Sequence, residues 1–179
     1  PQLVKSEGSG DRQKMIRITM LSTKFSAFLF TLIAVPIIIE LPYLFDLWLK
    51  EVPEYAVIFT RLSLSSFILS KFTFEITSAV RAVGKIKTLT ILESIILILN
   101  IPVSFVLFKQ GSAPYIIYIV YLCLGVLILI ERLYIGKVVA GIEVKEYFKL
   151  SVIPILIPLG FAFVPSIIFH EIISNDLLR

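Results

Sequence analysis

Three ionisable side chains, Arg61, Lys71 and Glu75, stand inside one apolar stretch of this 179-residue chain. The stretch runs from Glu54 to Lys87, longer than the roughly 17–25 residues a helix needs to cross a bilayer. On a helical wheel with Arg61 at zero, Lys71 falls at about −80° and Glu75 at about −40°. Lys71 and Glu75 are four residues apart, the spacing at which opposite charges pair on one helix. A charge at the bilayer centre costs on the order of 3 kcal/mol, so this face is expected to line a bundle interior or a water-filled cavity. Two readings stand. In one, Lys71 and Glu75 form an internal pair that locks helices, while Arg61 reaches outward. In the other, the face is a cavity wall whose cations meet an anionic substrate headgroup. Ser63, Ser66, Ser70, Thr73 and Thr77 lie on the other side and suit close helix packing.

Other chemistries find little footing. The sequence holds no Ser/His/Asp set, no HExxH motif and no Gly-rich loop after a strand, so no enzymatic bond-making is expected. The single cysteine, Cys123, allows no disulfide within the chain, and with the lone His170 it builds no metal cluster. Neither metal nor cofactor is expected. Cys123 reads as a small packing residue, and His170 as an interfacial one.

The elements that must position the charged face follow from hydropathy. Apolar residues make up 58% of the chain, against roughly 45–50% in soluble domains, and mean hydropathy is +0.95. The fold class expected is all-α, a polytopic membrane helix bundle. Residues 1–24 read as a cytoplasmic, interfacial amphipathic segment, with Asp11 as a helix N-cap. Residues 25–173 read as the transmembrane bundle, with spans at about 25–41, 55–83, 89–108, 114–136 and 148–168. Residues 174–179 form an extracytoplasmic tail. Pro36 is expected to kink the first span, and Tyr43 and Trp48 suit the headgroup belt. Pro53 and Glu54 mark the start of the second span, and Gly84 its end. Asn100 and Pro102 interrupt the third, as a kink or a local unwinding. Gly125 permits close packing in the fourth. Glu40, Glu93 and Glu131 fall at span ends, and Glu131 reads as the partner of Arg132.

With five alternating spans, Lys5, Arg12, Lys14, Arg17, Lys24, Arg81, Lys85, Lys87, Lys137, Lys145 and Lys149 fall on one side, and Lys50 and Lys109 on the other. Basic residues concentrate in cytoplasmic loops, which predicts a cytoplasmic start and an external end. The same topology accounts for the basic clusters, so no nucleic-acid partner is expected. The chain opens on Pro1 with no signal-peptide pattern, and it is expected to be part of a longer membrane protein.

Several motifs, taken in order, resemble the C-terminal lobe of bacterial polysaccharide flippases. These are the O-antigen and capsule-repeat exporters related to the multidrug-and-toxin-extrusion superfamily. The motifs are Pro1-Gln-Leu-Val-Lys-Ser6 followed by Gly10-Asp11, Ser22-Thr-Lys-Phe25, and Glu40 with Leu47-Trp-Leu-Lys-Glu-Val-Pro-Glu-Tyr55. Phe59-Thr-Arg-Leu62, Ala82-Val-Gly-Lys-Ile-Lys87, and Leu99-Asn-Ile-Pro-Val-Ser-Phe105 followed by Lys109 and Gly111 complete the series. The resemblance covers about residues 1–149. It departs at Thr88-Leu-Thr90, where such flippases commonly continue with Tyr, and the region around Lys71 and Glu75 is variable in the family. The resemblance implies two helical lobes around a central cavity, with this chain the later part of the second lobe. It implies alternating access, in which a polyprenyl-pyrophosphate-linked oligosaccharide crosses the bacterial cytoplasmic membrane with its tail in lipid. Arg61 and Lys71 would attract the anionic headgroup and Glu75 would tune Lys71. Partners implied are the bilayer, the lipid-linked oligosaccharide, the first lobe of the same chain and a coupling ion. A cation-coupled drug exporter of the same superfamily and a membrane scaffold without a transport cycle are the alternatives.

Overall fold

The computed structural model describes residues 2–157 and residue 160. The fold is all-α. A short helix, α1 (Gln2–Gly8), turns through Gly10, which sits at φ 77°, into α2 (Arg12–Trp48). The Asp11 carboxylate accepts from the Lys14 backbone N–H at 3.0 Å, so the expected N-cap is in place. At about 1.5 Å per residue, the 37 residues of α2 exceed the roughly 30 Å hydrocarbon core. The helix passes through residues 24 and 25, Pro36 and Tyr43 without interruption, so the interfacial pieces expected on either side of the first span continue it.

The segment expected as the second span is broken. It consists of α3 (Ala56–Lys71) and α4 (Phe74–Ala82), bent by 42° across Phe72 and Thr73. At the bend the α-helical ladder gives way to a tighter turn, with Thr73 N–H bonded to Ser70 O at 3.2 Å. The approach to it is rich in hydroxyls. Ser65, Ser66 and Ser70 donate to the carbonyls of Arg61, Leu62 and Phe67, and such back-bonding bends helices. Gly84, at φ 82°, ends α4 as expected.

The third span is α5 (Ile86–Ile98) followed by α6 (Asn100–Lys109), with a discontinuity at Leu99. Pro102 has no N–H for the Ile98 carbonyl, which loosens the ladder there. The fourth is α7 (Ile116–Ile135), extended by a π-helical turn at Gly136–Ala140. A short helix, α8 (Val144–Tyr147), leads into a second π-helical turn, Phe148–Val152. Among the described residues, three helices are long and apolar enough to cross a membrane, and four if the bent pair counts as one span. This is the pattern of a multi-pass membrane bundle. The expected fifth span, with Pro158 and Pro165, runs past the described residues, and His170 and the tail lie outside them.

The core sits at the end that carries most of the basic loops. Met15, Met20, Ile76, Ala79, Val80, Leu89, Ile135, Ala140, Ile142 and Tyr147 pack there as one buried cluster. Towards the opposite end the contacts are aromatic, with Tyr55 on Tyr115 and Phe59 on Tyr118. The face that α2 buries is a stripe of small side chains: Thr19, Thr23, Ala27, Thr31 and Ala34. Small residues let membrane helices approach closely. Leu21 and Phe25, larger side chains on the same helix, are exposed.

Candidate functional site

Arg61 is exposed on α3, and its Nε donates to the carbonyl of Ile38 on α2 at 3.1 Å. The reason lies four residues beyond Ile38. Pro42 has no N–H, so the Ile38 carbonyl has no helical partner. Arg61 supplies one, which orients the guanidinium and leaves its two Nη groups without a partner among the described residues.

Lys71 and Glu75 do not meet as a pair. The bend puts them on separate helices, and the i, i+4 geometry that would join them requires a continuous one. No ion pair links them among the described residues. The Lys71 ammonium instead lies 5.7 Å from the centre of the Phe30 ring and 5.3 Å from that of Phe74, within cation–π reach. The three sequence candidates are therefore dispersed. Arg61 lies near the start of α3, Lys71 at its end between two rings, and Glu75 across the bend.

The buried polar chemistry gathers elsewhere. Arg132 on α7 donates from Nε to Glu93 on α5 at 2.6 Å, both side chains largely shielded. This corrects one expectation: Arg132 pairs with Glu93 rather than Glu131. A cavity of about 90 Å³ beside this pair is lined by Ser66, Ser70, Thr73, Tyr121, Glu93 and Arg132, among others. Thr73, at the bend, is 2% exposed, and its hydroxyl has no partner. A wider cleft of about 350 Å³ lies between α3 and the α6–α7 pair, with Ser63, Phe67, Asn100, Tyr118 and Tyr121 on its walls. There Asn100 accepts from Ser104 at 2.7 Å and donates to the Ile117 carbonyl at 3.4 Å. The interruption at Asn100 and Pro102 thus joins α6 to α7.

No protein-family model, curated protein or solved structure matches this chain.

The remaining sequence expectations divide along the same lines. Gly125 faces Leu69 of α3, but an added Cβ would meet only ordinary contact, 3.4 Å from Leu69 Cδ2. Gly136 is the tighter contact, with an added Cβ only 2.5 Å from Ile76 Cγ2. Cys123 is exposed on α7 rather than packed. The Glu93–Arg132 pair had one signal in the sequence: each is a charged residue in a strongly apolar helix, where an ionisable group needs a named partner. Among the described residues no group of three or more His, Cys, Asp or Glu side chains is placed to hold a metal.

Proposed function

We propose that this chain is the later part of the second lobe of an alternating-access transporter. Its cargo is a polyprenyl-pyrophosphate-linked oligosaccharide, moved across a bacterial cytoplasmic membrane with the start of the chain on the cytoplasmic side. The observation that carries this reading is Arg61. It is an exposed guanidinium in an apolar bundle, held by one nitrogen on the Ile38 carbonyl. The other two nitrogens offer the planar fork that suits phosphate oxygens. The broken span beside it adds support, because discontinuous helices near the membrane midplane recur at transporter substrate sites. Lys71 contributes positive potential from between its two rings, and Glu75 moderates it. A first lobe of the same chain would close the cavity, and the lipid tail would run along the exposed apolar helix faces.

The test is flipping in vesicles that hold the full-length protein and the glycolipid, read by the fraction of glycan an added glycosidase reaches. Arg61→Ala lowers the rate at equal protein level, and Arg61→Lys keeps part of it. Unchanged flipping in Arg61→Ala would sink the reading. Efflux of a cationic dye without flipping would favour a drug exporter, and neither activity would favour a scaffold.

A further inference from the structure

A groove of about 1030 Å³ opens at the end of the bundle that carries most of the basic loops. One wall is the first turns of α2, and the other is α8 with the residues on either side of it. The two walls are joined beneath. Ser151 Oγ donates to the Met20 carbonyl at 3.1 Å, and further along both elements Ala27 and Ile155 share a buried cluster.

The walls carry opposite charge. Lys14 and Arg17 line the groove from α2, and Glu143 and Glu146 line it from the other side. All four are exposed. The walls nevertheless do not close on each other, since no ion pair joins Lys14 or Arg17 to either glutamate among the described residues. Asp11, also on the wall, is engaged as the α2 cap by the Lys14 backbone N–H. Glu143 has only a loose partner in Lys137, at 3.9 Å, and the nearby Arg12 is held by Glu7 at 2.9 Å. Opposite charges that face one groove without meeting suit a ligand that carries both signs. Beyond this charged level both walls turn apolar. Leu21 and Phe25 continue the Lys14–Arg17 face of α2 at i+3 and i+4 steps, and Leu150, Ile153 and Ile157 follow α8; all five are exposed. In a multi-pass membrane bundle, a groove that passes from charged to apolar walls spans the level where headgroups give way to acyl chains.

We propose that this groove binds a phospholipid whose headgroup joins a phosphate to a primary ammonium, as in phosphatidylethanolamine. Lys14 and Arg17 take the phosphate oxygens from the α2 side. The ammonium brings three N–H donors to Glu143 and Glu146. A trimethylammonium headgroup has no such donors, and the glycerol headgroup of phosphatidylglycerol sets no cation against the two carboxylates. The acyl chains run over Leu21 and Phe25 on one side and Leu150 and Ile153 on the other. The site uses none of Arg61, Lys71 and Glu75, so it does not rest on the transport reading above.

The test offers full-length protein in detergent equal amounts of phosphatidylethanolamine, phosphatidylcholine and phosphatidylglycerol with identical acyl chains. Native mass spectrometry reads the lipid retained. Phosphatidylethanolamine should be kept several-fold over the other two. Glu143→Gln/Glu146→Gln should abolish its advantage over phosphatidylcholine, and Glu143→Lys/Glu146→Lys should turn the preference towards phosphatidylglycerol. Lys14→Gln/Arg17→Gln should lose the retained phosphatidylethanolamine. Cross-linking locates the site in the wild type, whether or not the variants fold. Phosphatidylethanolamine with a diazirine in its acyl chain should label peptides that hold Leu21, Phe25 or Leu150. Equal retention of the three lipids, a preference unmoved by Glu143→Gln/Glu146→Gln, or labelling confined to other helices would each overturn the proposal. So would displacement of the lipid by free phosphoethanolamine, which would assign the groove to a soluble ligand.

Discussion

The Tyr147 hydroxyl lies 2.5 Å from the carbonyl oxygen of Phe72, across 75 residues of sequence. A bent helix leaves carbonyls without their i+4 donors, and this one is satisfied by a side chain from α8. The same hydroxyl is 2.9 Å from Thr23 Oγ1 on α2. A phenol has one proton, and the carbonyl can only accept, so Thr23 donates to Tyr147. The bend is thereby tied to two other elements. Tyr147→Phe keeps the ring but orphans the buried carbonyl, at a cost of about 1–3 kcal/mol. Thr23→Val leaves the Tyr147–Phe72 bond intact and should cost less, about 1 kcal/mol. Unfolding by denaturant in mixed micelles measures both, and equal losses would refute the assigned donor order.

A second prediction concerns Gly136. An added Cβ would sit 2.5 Å from Ile76 Cγ2 in a buried contact, so one of the two helices must move. Gly136→Ala is expected to destabilise by about 1–3 kcal/mol, as overpacking does. Shortening the obstacle should recover part of that, making Gly136→Ala/Ile76→Ala more stable than the sum of the single changes. Gly125→Ala meets only ordinary contact at 3.4 Å and should be close to neutral. The same unfolding assay checks the series.

What the sequence made legible was local. The Asp11 cap, the Gly84 stop and the Gly125 contact each depend on residues within a turn or on side-chain size, and all three are present. The membrane character followed from hydropathy, which is a sum and tolerates errors of boundary. The long-range chemistry was not legible. Glu93 and Arg132 are 39 residues apart, and nothing in their spacing names the partner. Lys71 and Glu75 failed as a pair for a specific reason: the i, i+4 rule assumes an unbroken helix. Two of the serines read as packing residues, Ser66 and Ser70, also bond back to carbonyls on the approach to the bend. On α2, Thr19, Thr23, Ala27 and Thr31, each four residues after the last, carry the packing face, and small polar side chains give no hydropathy signal for it.

The separation of Lys71 from Glu75 has its own consequence. Were they an internal pair, Lys71→Ala would leave Glu75 stranded, and Lys71→Ala/Glu75→Ala would restore stability. With Lys71 held between Phe30 and Phe74, removing its charge should cost about 0.5–2 kcal/mol, and the second change should restore nothing. Lys71→Arg should keep most of the contact. Near-additive single and double variants are the expected result, and rescue by the double variant would contradict it.

Arg132 should behave in the opposite way. It is the counter-ion of Glu93 in a mostly shielded site. Removing one member of a buried pair costs about 3–5 kcal/mol because the other is left uncompensated. Arg132→Met is therefore expected to be among the most damaging single changes in the bundle. Replacing both partners with apolar residues of similar size is often neutral, so Glu93→Leu/Arg132→Met should recover much of the loss. Protein level in membranes and unfolding midpoint both report it.

Arg61 joins structure to the proposed function, and Pro42 makes the two separable. Because Pro42 lacks an N–H, Arg61 Nε satisfies the Ile38 carbonyl. Pro42→Ala restores a backbone donor for that carbonyl, so Arg61 loses its structural task while its charge remains. In the native background, Arg61→Ala should cost about 1 kcal/mol of stability and lower flipping. In the Pro42→Ala background, the stability cost should nearly disappear, giving a coupling of about 0.5–1 kcal/mol in the double-mutant cycle. The loss of flipping should persist, because a backbone N–H carries no charge to meet a pyrophosphate. If flipping recovered together with stability, Arg61 would be a helix-joining residue alone, and the cation at the headgroup would have to be sought on another helix.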